Sequence, residues 1–273
     1  MKRVIKWCAV CILCLSCVIL CCCENRQQEK PDTEETESAG GKTQGVTEQG
    51  TTGDGVTYQY NKLTETLTVS GKIIKGADSV DDIDKIPWRK WCRDAKKLVL
   101  EDGVECVTDM AFADFWRLKE VVFPDTLKKI DVYAFYDSLR EREINRLKLP
   151  DSVEEIGWCA LAQKAFYKGP EDKGLKEILL PKKLRSIGEC AFASQAMTSI
   201  TIPENVESIG SCAFEDCLNL EKVIIKSKKI KKASGCFLRV NHKVIKVYVP
   251  KDVEKKYREM LEGANAHVYP MKE

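Results

Sequence analysis

The strongest constraint in this sequence is an internal repeat that occupies much of its second half. Four segments share the pattern L-x-x-[VI]-x-[IL]-P-x-x-[VL]-x-x-I-x-x-x-A-F, with the closing Phe or Leu always 11 positions after the proline. Because one such unit cannot bury its own apolar positions, equivalent units must stack on one another. The sequence therefore predicts a solenoid rather than a fold around one closed core. The four segments are Leu118–Phe135, Ile144–Leu161, Leu175–Phe192 and Met197–Phe214.

Each unit is predicted to contain a short strand followed by a returning half. The residues before the proline alternate between apolar and polar, which is typical of a strand with one buried face. Proline ends this strand because it has no N–H to donate. In the returning half we expect Gly157, Gly188 and Gly210 to allow a tight turn. We also expect the phenylalanine of one unit to stack on that of the next.

Incomplete copies flank the four strong ones. Ala95–Phe112 has Glu101 in place of the proline, Leu220–Phe237 has a degraded, Lys-rich middle, and Val244–Pro250 begins a further copy. The pattern resembles the BspA-type (Treponema-type) leucine-rich repeat of bacterial surface proteins. That resemblance implies a leucine-rich-repeat solenoid, a β-rich α/β repeat of about six to seven stacked coils. It also implies an N-terminal β-hairpin cap and a C-terminal strand plus short helix.

The composition changes along the chain and predicts five parts. Residues 24–55 carry eight acids and three bases and have hardly any aliphatic side chain, so they cannot bury enough surface to fold. The parts are an export or lipoprotein signal at 1–23, a disordered acidic Thr/Glu/Gly tether at 24–55, an N-terminal cap at 56–94, the leucine-rich repeats at 95–250, and a C-terminal cap helix and tail at 251–273.

The first 23 residues have the pattern of an export signal, with Lys2, Arg3 and Lys6 before an uncharged apolar run. Together with the polar segment that follows, they resemble the signal of a bacterial lipoprotein. The resemblance implies that the thiol of Cys23 carries the lipid. The alternative attachment sites are Cys22, Cys21 and Cys17. An uncleaved N-terminal anchor and ordinary secretion are the other two interpretations.

The outward positions of the predicted strands form the first candidate binding surface. Basic residues outnumber acids there and flank a partly apolar central row, which would suit an anionic or mixed apolar-anionic partner such as an acidic protein or a glycan. Alternatively, the lysines only keep the sheet soluble and prevent pairing with other sheets. The candidate residues are Val122, Lys148, Leu179, Lys222, Ile224, Lys246 and Tyr248.

Two insertions form the second candidate. Tyr136–Glu143 and Ala162–Gly174 follow the Ala-Phe position of their repeats and are longer than the equivalent segments elsewhere. We expect both to emerge at one edge of the solenoid, with Phe166 and Tyr167 exposed in the second. The insertions either form an adhesive loop or have no function, because loops of a repeat protein tolerate changes in length.

The cysteines and histidines provide little catalytic chemistry. Cys159, Cys190 and Cys212 occupy the same position in three repeats, where we expect buried side chains rather than metal ligands; an oxidised pair between neighbouring coils is an alternative. The chain has only two histidines and no nucleophile, metalloprotease or phosphate-binding motif. A Cys236–His242 pair would be the remote hydrolytic alternative. We expect a monomer that has no cofactor, binds no nucleic acid and is not an enzyme.

The resemblance also implies a function. Proteins of this family attach to host matrix proteins or to other cells, so we expect a membrane-anchored protein of the bacterial cell surface that binds a protein or glycan partner in adhesion. The alternative is an envelope-structural or colonisation protein without a host ligand. Fold alone does not identify the ligand.

Overall fold

The structure is a computed structural model and describes residues 47–139, 144–164, 174–233, 235–237 and 244–272. The described residues form short strands that stack as coils, with 3₁₀ segments at Val80–Lys85, Arg89–Trp91 and Lys251–Val253 and a helix, α1 (Glu254–Met260). The strands are β1 (Thr47–Thr51), β2 (Thr57–Asn61), β3 (Thr66–Ser70), β4 (Ile73–Lys75), β5 (Lys97–Leu100), β6 (Cys106–Thr108), β7 (Glu120–Val122), β8 (Lys129–Ile130), β9 (Arg146–Lys148), β10 (Glu155–Ile156), β11 (Glu177–Leu179), β12 (Ser186–Ile187), β13 (Ser199–Ile202), β14 (Ser208–Ile209), β15 (Lys222–Ile225), β16 (Ile245–Val249) and β17 (Ala266–Pro270).

A continuous parallel sheet runs along one side of the solenoid. Its order is β4-β6-β8-β10-β12-β14, so each strand pairs with the equivalent strand of the neighbouring coils. The register places one apolar residue of each coil directly over the next, and all six are buried. The coils are thus stacked without interruption, which confirms the predicted solenoid. The aligned residues are Ile74, Val107, Ile130, Ile156, Ile187 and Ile209.

The strands that precede the proline positions form the second side, in three consecutive sheets. Their orders are β1-β2-β3-β5-β7, then β11-β9, then β13-β15-β16-β17. Within β1–β3 the pairing is antiparallel, as expected of a hairpin cap, and from β3 onward it is parallel. Alternate residues face inward, as the alternation predicts: Leu98, Leu147 and Val247 are buried.

Aromatic stacking between coils follows the predicted course. The ring centroids of Phe112 and Phe135 lie 5.4 Å apart, and Phe214 is stacked between Phe192 at 5.7 Å and Phe237 at 5.5 Å. Stacked rings at these distances stabilise the core beyond their buried area. Leu161, buried in the intervening coil, separates the two stacks.

The predicted role of the repeat glycines is wrong. Gly157, Gly188 and Gly210 do not have positive φ. They are required because the coils approach closely here: a Cβ on Gly188 would lie 2.5 Å from the carbonyl carbon of Gly157, and one on Gly210 equally close to that of Gly188. The left-handed turn occurs two positions later instead, at Met110, Tyr133, Cys159, Cys190 and Cys212, with φ between 49° and 61°.

The N-terminal cap begins earlier than predicted. The disorder expected for 24–55 is wrong for Thr47–Thr51, because this segment pairs with β2 as an antiparallel strand. Glu48 on this strand contacts Lys62 and Lys90, each at 2.8 Å. Hydrogen bonds from Lys62 and then Lys90 lower the pKa of Glu48 to about 2. These two ion pairs link the strand to the cap, although the segment has few aliphatic side chains to bury.

A buried charge network joins this cap to the coils that carry the insertions. Asp114 accepts from Arg89 at 2.8 Å and from Lys164 at 2.9 Å, and Lys164 lies 3.4 Å from Asp137. The side chains of all four are less than a tenth exposed. Such a network holds its elements in a single arrangement because each charge depends on the others for compensation.

The start of each insertion is buried. Tyr136–Leu139 and Ala162–Gln163 lie in the core, where they lead into the charge network. The later residues of both insertions, 140–143 and 165–173, lie outside the described residues.

The C-terminal cap contains a strand that the sequence reading missed. After α1, residues Ala266–Pro270 form β17, parallel to β16 and at the edge of its sheet. Arg258 of α1 donates to the carbonyl oxygen of Val268 at 3.0 Å, and Pro270 has no N–H, so this edge offers few groups to another strand. In the part of the chain that the structure describes, no helix combines the length and the apolarity needed to cross a bilayer.

The glycine column allows a test of coil spacing. Gly188→Ala should lower the free energy of unfolding by about 1–3 kcal/mol, because its methyl group would push two coil backbones apart. Gly53→Ala is the matched control, since a Cβ there meets nothing within 4 Å. Urea denaturation followed by tryptophan fluorescence measures both; equal stability of the two variants would contradict the spacing argument.

The charge network allows a second test. Asp114→Asn should lower the free energy of unfolding by about 3–5 kcal/mol, because Arg89 and Lys164 would then share one remaining carboxylate in a buried site. The exposed pair of Lys228 and Asp252 provides the control, and Asp252→Asn should change stability by less than about 1 kcal/mol. A comparable loss in the two variants would show that the buried network has no special role.

A basic aromatic groove at the C-terminal end

The outward positions of the strands lie where the alternation places them. Val122 is 39% exposed, Lys148 is exposed, and Leu179 is half-buried. These three lie on β7, β9 and β11, whereas the other four predicted residues lie on β15 and β16. The predicted set is therefore spread along the solenoid, and only its C-terminal members lie together.

The charge on this face is not uniform. In the first coils, bases lie directly opposite acids on the neighbouring strand. The Nζ of Lys97 is 2.9 Å from Oε1 of Glu120, and the Nε of Arg146 is 3.1 Å from Oε2 of Glu177. These cross-strand pairs neutralise one another, so this part of the face has little net attraction for an anion.

The equivalent positions at the C-terminal end hold a row of bases. Lys222 lies opposite Lys246, which lies opposite His267 on β17. Like charges directly opposite one another destabilise a sheet. Neither lysine has a carboxylate partner among the residues that the structure describes. The first part of this face is thus nearly neutral, whereas its last part carries a net positive charge.

A row of aromatic and apolar side chains lies beside these bases. Ile224, Tyr248 and Tyr269 are aligned across β15, β16 and β17. The two tyrosine rings are stacked with centroids 5.7 Å apart. The Nζ of Lys222 lies 5.4 Å from the centroid of Tyr248, within the range of a cation–π contact.

These side chains enclose an open groove of about 990 Å³, which we call the C-terminal groove. Among the described residues, no Asp or Glu lines it. The two acids that follow Lys251, Asp252 and Glu254, are already paired, Asp252 with Lys228 at 2.7 Å and Glu254 with Arg258, whereas Glu221 precedes Lys222 in the chain. The groove is consequently a site of positive potential with an aromatic wall. Its lining residues are Lys222, Ile224, Tyr248, Lys251, Tyr269, Pro270, Met271 and Lys272.

Two smaller cavities differ in chemistry. One of about 410 Å³ lies on the N-terminal cap, where Tyr58 and polar side chains surround a single charged residue, Glu101. The other, of about 370 Å³, is lined by acids and bases together, among them Glu154 and Arg185. Neither combines unpaired bases with stacked aromatic rings.

Three of the eight residues that line the C-terminal groove, Lys222, Ile224 and Tyr248, were predicted from the sequence, together with Lys246 beside them. Tyr269 and Lys272 were missed because β17 was not recognised, and Lys251 was assigned to the cap helix. A signal was present: Val268 lies between two polar residues just before Pro270, the same strand-then-proline order as in the repeats. Phe166 and Tyr167 lie outside the described residues.

The cysteine row is buried as predicted, but it has one additional feature. The thiols of Cys190 and Cys212 and the carboxylate of Glu215 lie within 4.8 Å of one another. A hydrogen bond with Cys190, followed by burial, raises the pKa of the Cys212 thiol. Both cysteines are free thiols in the structure. Within the described ranges, no histidine joins this group.

The alternative nucleophile is not supported by its surroundings. Burial raises the pKa of Cys236 to about 12, so its thiol remains protonated near neutral pH. His242 lies outside the described residues. His267 is exposed on β17, with its ring centroid 6.4 Å from that of Tyr269.

Comparison with known proteins identifies the class of this fold and then its family. The chain is a leucine-rich-repeat solenoid. The model of the BspA type Leucine rich repeat region matches residues 88–168 and 160–267, in six copies. The chain therefore belongs to the BspA-type leucine-rich-repeat family. No curated protein sequence is significantly similar to it.

Solved structures of bacterial leucine-rich-repeat proteins are similar to this chain. The pneumococcal vaccine antigen PcpA is 20% identical with a TM-score of 0.40, and the match covers 81% of this chain and 47% of the antigen, so the chain spans about half its length. The T. pallidum Leucine Rich Repeat protein is 17% identical with a TM-score of 0.35, covering 81% and 94%. A protein from Eubacterium ventriosum is 16% identical with a TM-score of 0.27, covering 83% and 86%.

Proposed function

We propose that this chain is a bacterial surface protein whose solenoid binds an anionic protein or glycan partner, in adhesion, through the C-terminal end of its outward face. The observation that supports this proposal is a row of bases that have no carboxylate partner among the described residues and lie beside stacked tyrosines, in a family of bacterial repeat proteins. The proposed activity is binding, without catalysis and by a monomer.

The geometry favours binding for a physical reason. Much of the backbone of the C-terminal groove is held by strands, so little backbone entropy is lost when a partner binds. Tyrosine supplies contact area at low entropic cost, and unpaired bases attract an anion from a distance. The groove therefore has both an anchor and a long-range attraction.

The alternative, an envelope-structural protein without a ligand, explains the lysines as protection against sheet pairing. The described edge of β17 is already protected by Arg258 and Pro270, which makes further protection unnecessary there. The structural alternative also leaves the exposed ring of Tyr269 unexplained. We therefore favour binding.

A charge-reversal experiment tests the proposal. The purified full chain, in mild detergent, is presented to an array of matrix proteins, glycans and cell-wall polymers at two salt concentrations. We expect saturable capture that weakens at high salt, and the Lys222→Glu/Lys246→Glu variant should weaken it about tenfold or more because attraction becomes repulsion.

Lys148→Glu is the matched control, since Lys148 is an exposed base on the same face but outside the C-terminal groove. It should leave capture within about threefold of the unchanged chain, because binding needs the groove rather than the whole face. Equal losses in the two variants would reject the groove as the binding site. Absence of capture from the entire array would favour the structural alternative.

We further propose that the chain is anchored by lipid on Cys23, with Cys22, Cys21 and Cys17 as alternatives, and that the preceding residues are a cleaved signal. This proposal rests on the sequence, since residues 1–46 lie outside the described residues. The acidic segment that follows would then place the domain about 30 Å from the membrane by a random-coil estimate.

Mass spectrometry of the membrane-extracted protein checks the anchor. We expect a chain that begins at Cys23 and carries a diacylglycerol adduct, which removal of all four candidate thiols should abolish. An intact Met1 without lipid would contradict the anchor and leave the binding proposal unaffected.

A further inference from the structure

We propose that the C-terminal groove binds an acidic polysaccharide, a polymer that carries one carboxylate on successive sugar rings. This inference rests on the proposed function and deepens it by assigning the chemical class of the ligand. It depends on three features of the groove: the type and spacing of its bases, the position of its aromatic rings, and the blocked backbone of its edge strand.

The bases of the groove are all lysines. Lys222, Lys251 and Lys272 line it, and Lys246 is paired in register with Lys222. Arg258 is close by but is engaged with Glu254 and the carbonyl of Val268. Arginine suits bidentate binding of planar or clustered oxygens, whereas lysine acts as a separate point charge. Separate point charges match an anion whose charges are spaced along a chain.

The aromatic wall provides a surface for sugar rings. Tyr248 lies between the ammonium of Lys222 and the ring of Tyr269, so both faces of its ring are largely in contact with these neighbours. Tyr269 lies on the last strand of the sheet and is 38% exposed, and no further strand of the described residues covers its outer side. An amphipathic ring at such a position packs against the apolar C–H face of a sugar while its hydroxyl group hydrogen-bonds.

The edge of β17 disfavours the competing ligand, an acidic peptide that adds a strand. Met271 donates to Val249, so alternate residues of β17 bond inward and Ala266, Val268 and Pro270 present their backbone outward. The N–H of Ala266 donates to Ala264 at 2.7 Å, and the carbonyl of Val268 accepts from Arg258. Pro270 has no N–H. The outward groups that remain are the N–H of Val268 and the carbonyls of Ala266 and Pro270, so a peptide meets an interrupted backbone ladder and strand addition loses affinity.

The size of the groove is consistent with a polymer. Its volume of about 990 Å³ lies at the upper end of the ~300–1,000 Å³ that small-molecule clefts occupy. It therefore accommodates more than one sugar ring. Two or more rings would place successive carboxylates near different lysines.

The experiment measures binding of the full chain, in mild detergent, to polygalacturonate, alginate and hyaluronan. Methyl-esterified polygalacturonate tests the need for charge, and poly-L-glutamate supplies carboxylates without sugar rings. We expect at least one of the three acidic polysaccharides to bind saturably, with about tenfold or more weaker binding of the methyl ester (where polygalacturonate is the ligand) and of poly-L-glutamate.

Variants then place the ligand in the groove. Tyr269→Ala should weaken polysaccharide binding about tenfold or more, and Tyr269→Phe, which keeps the ring, should stay within about threefold. Trp116→Ala is the matched control, because Trp116 is also 38% exposed but belongs to another coil. The Lys251→Gln/Lys272→Gln variant should also weaken polysaccharide binding, and it does so without altering the aromatic row.

Each result decides the inference. Equal binding of poly-L-glutamate, equal loss in Trp116→Ala, or no binding of the three acidic polysaccharides overturns it. If the array partner is still captured through Lys222 and Lys246, only the ligand class is wrong and the proposed function stands. If no partner of any kind is captured, both fail.

Discussion

The close, in-register approach of neighbouring coils is the constraint on which the rest of this structure depends. One apolar residue of each coil, from Ile74 to Ile209, lies directly over the next. A Cβ at Gly188 or Gly210 would lie 2.5 Å from the backbone of the adjoining coil, so glycine is required there. Because a single coil buries its apolar face only against its neighbours, the core forms only when the coils stack at this spacing. The phenylalanine stacks follow from the same spacing.

This spacing also explains how the C-terminal groove arises. Parallel pairing places equivalent side chains about 4.8 Å apart on successive strands, so each column of the repeat becomes a row on the outward face. Where a column alternates base and acid, as at Lys97 and Glu120, the row is neutral. Where it holds bases only, as at Lys222 and Lys246, the row attracts anions. A solenoid thus changes its binding surface by changing a few outward residues, without altering the core.

The sequence predicted the solenoid and its inward residues because apolar alternation and fixed proline spacing are local signals. It did not predict the role of Gly157, since a close contact between coils is invisible in one coil's sequence. Thr47–Thr51 was assigned to a disordered tether because its backbone pairing with β2 is not visible in its polar composition. Tyr269 was missed because β17 does not belong to a full repeat, so the repeat pattern does not identify it. Lys97 and Arg146 could be placed on the face, but their neutralisation depends on register.

The most direct test of the account is hydrogen–deuterium exchange of the full chain with and without its captured partner. The account predicts slower exchange on binding in Lys222–Ile225, Ile245–Val249 and Ala266–Pro270, the three strands that carry the C-terminal groove. Lys97–Leu100 and Arg146–Lys148, on the neutral part of the same face, should be unchanged. Protection of these earlier strands instead, with the C-terminal strands unaffected, would contradict the claim that the partner binds at the row of unpaired bases.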